Sequence, residues 1–249
     1  MDLSPNGITA GVPPSPSRPE PRQRWRLTFA RSVHAEGEPL GGRDYFALWE
    51  TALVASGLPL AETDAGRVRF TIGAPLPART VGRAELADVW LTERVAGWSV
   101  RAALGPVLPA GHKLVGIEDV WLGAAALAGR VAAADYLVVL GGRPDAAAIT
   151  AAADRLLDAD RLVRDRAKGG GVKTYDLRPL LISIAVSAHP DTTVADATLA
   201  VHVRTRIHPE LGSGRPDEVI AALADEAGAV LVTAETVRER LLLADDVEG

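Results

Sequence analysis

Arg24-Trp25-Arg26-Leu27-Thr28-Phe29-Ala30 alternates large apolar side chains with polar ones, the two-residue period of a strand with one face buried. Beyond it, Tyr45, Leu48, Trp49, Ala52 and Leu53 recur at helical spacing behind Asp44, placed as the N-cap, and the run stops at Gly57. A short strand is expected near Leu58 to Glu62. A further strand follows in which Val68, Phe70 and Ile72 alternate with Arg67, Arg69 and Thr71. Extended structure resumes over Glu85 to Leu91, a helix broken by Gly105 and Pro106 spans Ala96 to Leu108, and Lys113 to Leu122 reads as a closing strand.

The same order of signals returns in the rest of the chain. Tyr136 to Leu140 is an apolar strand, and Gly142-Arg143-Pro144-Asp145 opens a helix through Leu157, with the proline expected in its first turn. Arg161 to Arg166, Tyr175 to Ser187 and Leu199 to Ile207 have strand character. The same four letters, Gly214-Arg215-Pro216-Asp217, open a second helix ending near Gly228, and Val230 to Leu243 finishes as a strand with a last turn. The expected fold is α+β: two tandem ferredoxin-like (βαββαβ) units with antiparallel sheets, over residues 23–130 and 131–249. A Pro-rich leader over residues 1–22 precedes them and is expected to be disordered.

Composition narrows the function classes. The 249 residues are 47% hydrophobic but only 4% aromatic, so the cores rest on small aliphatic side chains. A formal charge of −5 excludes a surface that is basic all round, and leaves room for a local basic patch. With no cysteine there is no disulfide, thiolate nucleophile, iron–sulfur ligation or Cys-type zinc site. That usage fits a cytoplasmic location. Apolar runs such as Leu180 to Ala188 are far below the roughly 20 residues of a spanning helix, so no membrane role is expected.

Within a ferredoxin-like unit the first and third strands are neighbours, which predicts that Arg24, Arg26, Arg67 and Arg69 meet on the face away from the helices. Such a cluster needs acids or an external anion, and phosphate suits planar guanidinium donors. Trp90 would stand beside them as a stacking surface for a base. A second basic run holds Arg161, Arg164, Arg166, Lys168, Lys173 and Arg178 around Gly169-Gly170-Gly171, and Arg204 and Arg206 occupy the polar side of the strand at Leu199 to Ile207. The candidate RNA-binding set is therefore Arg24, Arg26, Arg67, Arg69, Trp90, Arg164, Arg166, Lys168, Lys173, Arg178, Arg204 and Arg206. The competing reading is internal neutralisation by Glu85, Asp88 or acids of the other unit, with Trp90 packed rather than open. The repeated Gly-Arg-Pro-Asp can serve as an anion-binding helix start or as two ordinary helix starts. The glycine triplet is followed by no phosphate-loop Lys-Ser or Lys-Thr, and His34, His112, His189, His202 and His208 lack metal-ligand spacing. No cofactor, metal or catalytic residue is assigned.

Several segments taken together resemble the radical-SAM-associated protein family, a domain of unknown function found beside or fused to a cobalamin-binding radical SAM protein. They are RWRLTFARS at 24–32, ASGLPL at 55–60, APLPARTVGRAELADVWL at 74–91, VGIEDVWLGAAALAGRVAAADY at 115–136, KTYDLRPLL at 173–181 and SGRPDEVIAAL at 213–223. The family's Ser-His-Leu-Asp motif survives only as Asp44, with Gly41 and Gly42 at the Ser and His positions, and Asp64-Ala65-Gly66 replaces its Asn-Pro-His-Pro loop. The resemblance implies a non-catalytic accessory to a cobalamin-binding radical SAM partner, in RNA modification or processing. Two alternatives stand beside it. One is a stand-alone RNA-modifying or RNA-cleaving enzyme using Asp44, Asp176 or His202 as acid/base groups. The other is a structural protein–protein adaptor whose basic faces are neutralised internally.

Overall fold

In the computed structural model, residues 18–32, 42–168, 171–188 and 199–247 are described. Most of the expected leader, His34, His189 and Gly169-Gly170 lie outside them. Strand β1 (Gln23–Arg31) buries Trp25, Leu27 and Phe29 on one face. Helix α1 (Gly42–Ala55) lays Trp49 and Leu53 onto that face, with the Phe29 and Trp49 rings 4.7 Å apart. Asp44 falls in the first turn of α1 rather than at its cap. Strands β2 (Phe70–Ile72) and β3 (Val81–Leu91) follow, then α2 (Gly97–Leu104) with a short 3-10 turn at Gly105–Val107, and β4 (His112–Val120). Val100 and Leu104 of α2 complete this core. Each fully buried Leu or Phe contributes on the order of 1.5–3 kcal/mol. Neighbours run β4-β1-β3-β2, every pair antiparallel.

A connector carrying α3 (Leu127–Arg130) leads to β5 (Val131–Gly141) and α4 (Ala146–Asp158). Strands β6 (Val163–Lys168) and β7 (Gly171–Asp176) make a separate two-stranded sheet. Then come β8 (Leu181–Ala188), β9 (Leu199–His208), the two-residue β10 (Gly212–Ser213), α5 (Pro216–Ala227), β11 (Val232–Leu243) and α6 (Ala244–Val247). Their order is β8-β9-β5-β11, again antiparallel throughout, over a core of aliphatic residues from β5, β9, α4 and α5.

The two halves do not keep separate sheets. Strand β2 is short and pairs only with Ala87 to Val89 of β3, so the start of β3 has an open edge. Strand β11 takes it, running parallel to β3 at Val81–Val237 and Gly82–Arg238, and the halves fuse into one mixed nine-stranded sheet. The α+β class stands; the expected pair of independent antiparallel sheets is corrected to one.

The repeated tetrapeptide starts its helices in two ways. Before α4, Asp145 is the N-cap and its carboxylate accepts from the Ala147 and Ala148 amides at 2.9 and 3.3 Å, so Pro144 precedes the helix instead of sitting in its first turn. Before α5, Pro216 is the first helical residue and the N-cap Arg215 makes no side-chain cap. The difference lies in the glycines. Gly142 takes a left-handed turn at φ 76°, whereas Gly214 is pressed against β9, where a Cβ would fall 2.8 Å from the Thr205 Cβ. No helix among the described residues is long and apolar enough to cross a membrane.

Candidate functional site: the seam between the halves

The expected guanidinium patch is closed. Pairing places Arg24 opposite Trp90 and Arg26 opposite Asp88. Strand β1 lies between β4 and β3, and Arg67 and Arg69 lead into β2 on the far side of β3, not beside β1 as the sequence predicts. Arg24 is 1% exposed and Asp88 0%. Arg24 Nε donates to Asp88 Oδ2 at 2.9 Å, and Arg26 donates to both Asp88 oxygens at 2.8 and 3.0 Å. Arg24 also donates to the carbonyls of Ala124 and Ala125 at 2.7 and 3.0 Å. These carbonyls belong to the connector, which crosses the helix-free face of β1 on its way to β5. The buried guanidinium of Arg24 thereby finds acceptors for the donors that Asp88 leaves over. Trp90, 8% exposed, lies beneath Arg24 and Arg69, whose guanidinium carbons stand 4.8 and 5.0 Å from its ring. It is not an open stacking platform. Arg67 turns instead to Glu50 of α1.

The second basic run is also largely engaged. Arg164 pairs with Asp225 at 2.6 Å. Arg166 and the Tyr175 hydroxyl both donate to Glu218 of α5, and the Arg166 guanidinium lies 4.6 Å over the Tyr175 ring. Burial and the neighbouring Glu218 push the Tyr175 phenol up to about 12. Arg178 donates to the carbonyls of Leu157, Ala159 and Leu181 at 2.6, 3.1 and 3.1 Å, closing the end of α4 onto β8. Arg204 and Arg240 share Asp135 at 2.6 and 2.9 Å. Burial alone would raise the Asp135 carboxyl, but the two arginines outweigh it and hold it below the usual carboxylate range. Among the described residues Lys173 and Arg206 are exposed and carry no ion pair. The Lys168 side chain lies outside the description.

The proposed acid/base groups sit on separate elements. Asp44 is exposed on α1, and Asp176 accepts from the Leu162 and Arg178 amides at 2.8 and 3.0 Å as a turn residue. His202 meets the Ser187 hydroxyl at 3.1 Å on the exposed face of β9. His112 packs between Tyr45 and Phe29, with the Tyr45 hydroxyl at 2.9 Å. Among the described residues no group of three or more His, Asp or Glu is placed to hold a metal.

What the fold does assemble is a cleft over the β3–β11 junction. Arg238 of β11, 1% exposed, is its floor. Its Nε donates to Glu85 Oε1 at 2.8 Å, its Nη2 reaches Glu85 Oε2, and its remaining donors hold the carbonyls of Ala74 and Pro75 at 3.0 and 2.9 Å. Gly82 makes room for this: a Cβ there would lie 2.7 Å from the Glu85 Cγ. Above Arg238 opens a cleft of about 540 Å3 between residues 74–80 and 213–217, with Tyr136 and Thr236 deeper in. Burial pushes the Tyr136 phenol up, against the pull of Arg238. Arg79, on the 74–80 wall's own loop, holds φ 56°, an unusual backbone state for a residue with a side chain. Arg215 and Asp217, exposed at the start of α5, also line it. This chemistry receives a polar group through hydrogen bonds. No hydroxyl–imidazole pair or carboxylate pair lines it among the described residues.

Sequence reasoning weighed Arg215-Pro216-Asp217 as an anion device and Glu85 as a neutralising acid, but did not connect them. Arg238, Tyr136 and Thr80 were missed, because nothing local marks residues that meet only when β11 lies along β3. Two of the segments carrying the family resemblance, 74–91 and 213–223, form the two walls.

The family model described as an uncharacterized protein conserved in bacteria (DUF2344) matches residues 24–209. No curated protein matches the chain. Among solved structures, the chain is similar to a crystal structure of a Cbf5–Nop10–Gar1 complex, with TM-score 0.41 and 9% identity over 86% of this chain and 48% of that one. It thus spans about half the length of the chain it matches there. It is also similar to a crystal structure of an unknown protein from Galdieria sulphuraria, with TM-score 0.23 and 15% identity over 86% of this chain and 98% of that one.

Proposed function

Residues 24–209 make this chain a member of the DUF2344 family, and on that footing we propose that it is a non-catalytic accessory module that docks to a cobalamin-binding radical SAM partner in the cytoplasm. Each half is read as a ferredoxin-like unit, since both have the neighbour order of fourth, first, third and second strand with a helix after the first and third. The observation that carries the reading is where the arginines go. Arg24, Arg26, Arg166, Arg178, Arg204 and Arg238 are committed to internal carboxylates and carbonyls. Their charge is spent on holding the sheet, the connector and the hairpin together, which is what an adaptor requires and a phosphate-tracking surface does not. The polar mouth of the seam cleft is the proposed contact for a segment of the partner.

The test is co-purification of the tagged full chain with the radical SAM protein encoded nearest to it. The complex is expected to survive nuclease treatment and 0.5 to 1 M salt, roughly the range in which phosphate contacts are screened out. Arg215→Glu is expected to weaken it, while Lys173→Glu, on the hairpin, leaves it unchanged. A complex lost on nuclease treatment, or RNA binding with a steep salt dependence that Arg206→Glu and Lys173→Glu abolish, would return the function to RNA contact.

A further inference from the structure

We propose that the free edge of β8 is a two-fold interface at which a second copy of this chain pairs antiparallel with the first. Strand β8 ends its side of the sheet. It is bonded along one edge to β9, and among the described residues its other edge has no strand partner. Such an edge presents a row of unpaired amides and carbonyls and is normally blunted by charge, proline or a bulge.

The opposite end of the sheet shows that protection. Strand β4 carries His112, Lys113, Glu118 and Asp119, and a bulge interrupts its register with β1 at Thr28/Phe29. Strand β8 reads Leu-Ile-Ser-Ile-Ala-Val-Ser-Ala, with no charge, proline or glycine. Its one irregularity, between Leu181 and Ser183, leaves Ser183 to Ala188 in regular register. It is the less guarded of the two ends.

The order of side chains says what fits there. Ser183-Ile184-Ala185-Val186-Ser187 is a near-palindrome about Ala185. An antiparallel partner related by a two-fold axis at Ala185 sets Ser183 against the second copy's Ser187 and Ile184 against its Val186. Ser183, Ala185 and Ser187 are on the exposed face, so the hydroxyls can bond across the axis. Ile184 and Val186 belong to the helix-side core, so the aliphatic pairs extend that core from one copy to the next. Polar meets polar and β-branched meets β-branched on both sides of the axis, the self-complementarity a two-fold interface demands. An unrelated strand has no reason to match both faces.

The natural chain lacks cysteine, so one introduced thiol reports on the axis without background. The full chain is expected to sediment as a dimer at micromolar concentration. Ala185→Cys should give a disulfide-linked dimer on mild oxidation, and Ala146→Cys, at the exposed start of α4, should not. Ala185→Lys sets two ammonium groups on the axis and is expected to sediment as a monomer with an unchanged far-ultraviolet circular dichroism spectrum. The proposal is overturned by a wild-type monomer up to hundreds of micromolar, or by a dimer in which positions 185 and 146 cross-link alike. If Ala185→Lys does not fold, the paired cysteine measurements decide alone.

Discussion

Asp88 shows how one side chain sets what a surface can do. It is fully buried between Arg24 and Arg26, and it turns a pair of cations that would repel into the fastening for the connector. Removing one partner of a buried ion pair strands the remaining charge, and Asp88→Ala strands two. We expect a loss of about 3–5 kcal/mol in urea unfolding, whereas Glu50→Ala, which frees the exposed Arg67, should move the urea midpoint far less. The tyrosines make a second prediction at this scale. The chain has three, and burial raises the phenol of Tyr45 and Tyr136 while Tyr175 is raised to about 12. Their folded values lie above the unfolded one near 10. The stability linked to them is fully present below that value and is lost as the pH rises through the folded value of each, about 12 for Tyr175. Alkaline spectrophotometric titration should therefore show little phenolate at pH 10 in the folded chain, and its prompt appearance after denaturation.

Among the elements, identical letters acquire different work from what they abut. Gly-Arg-Pro-Asp supplies a side-chain cap to α4 through Asp145, but at α5 its aspartate is a first-turn acid with no capping bond. Asp145→Ala should destabilise by about 1 kcal/mol, and Asp217→Ala by a few tenths, the size of a dipole interaction at an exposed helix end. Thermal unfolding of the two variants side by side separates them. The hairpin β6–β7 makes the same point through side chains. Two of its cations, Arg166 and Arg164, are turned onto α5 by Glu218 and Asp225, acids lying 52 and 61 residues further along the chain.

At the scale of the whole molecule, the β3–β11 seam makes two topologically similar halves into one sheet. Arg238 and Glu85 form its buried fastening, and Arg238 also holds Ala74 and Pro75. Arg238→Met should cost about 3–5 kcal/mol, since it leaves Glu85 charged and unpaired in the interior. A second change, Glu85→Leu, should restore much of that loss, because a buried pair replaced by apolar residues is often neutral or better. Calorimetry is the measurement: one transition in the wild type, two in Arg238→Met as the halves uncouple, and one again in the double variant.

The local periodicities of this chain are strong enough to be read without a structure. Alternation in Arg24 to Ala30 and Leu199 to Ile207, and helical spacing behind Asp44, put strands and helices close to where they are found, because each period reflects the face that its own segment must bury. The two possible fates of Arg24 and Arg26, an open anion site or neutralisation by Asp88, were both legible there as well. Choosing between them was not. That choice depends on a connector more than 90 residues away in sequence laying Ala124 and Ala125 over the strand, and on β3 rather than β2 being the neighbour of β1. The cleft likewise exists only because β11 closes on β3. Periodicity records which side of a segment is buried; which distant chain buries it, and with what charge, is a property of the assembled sheet.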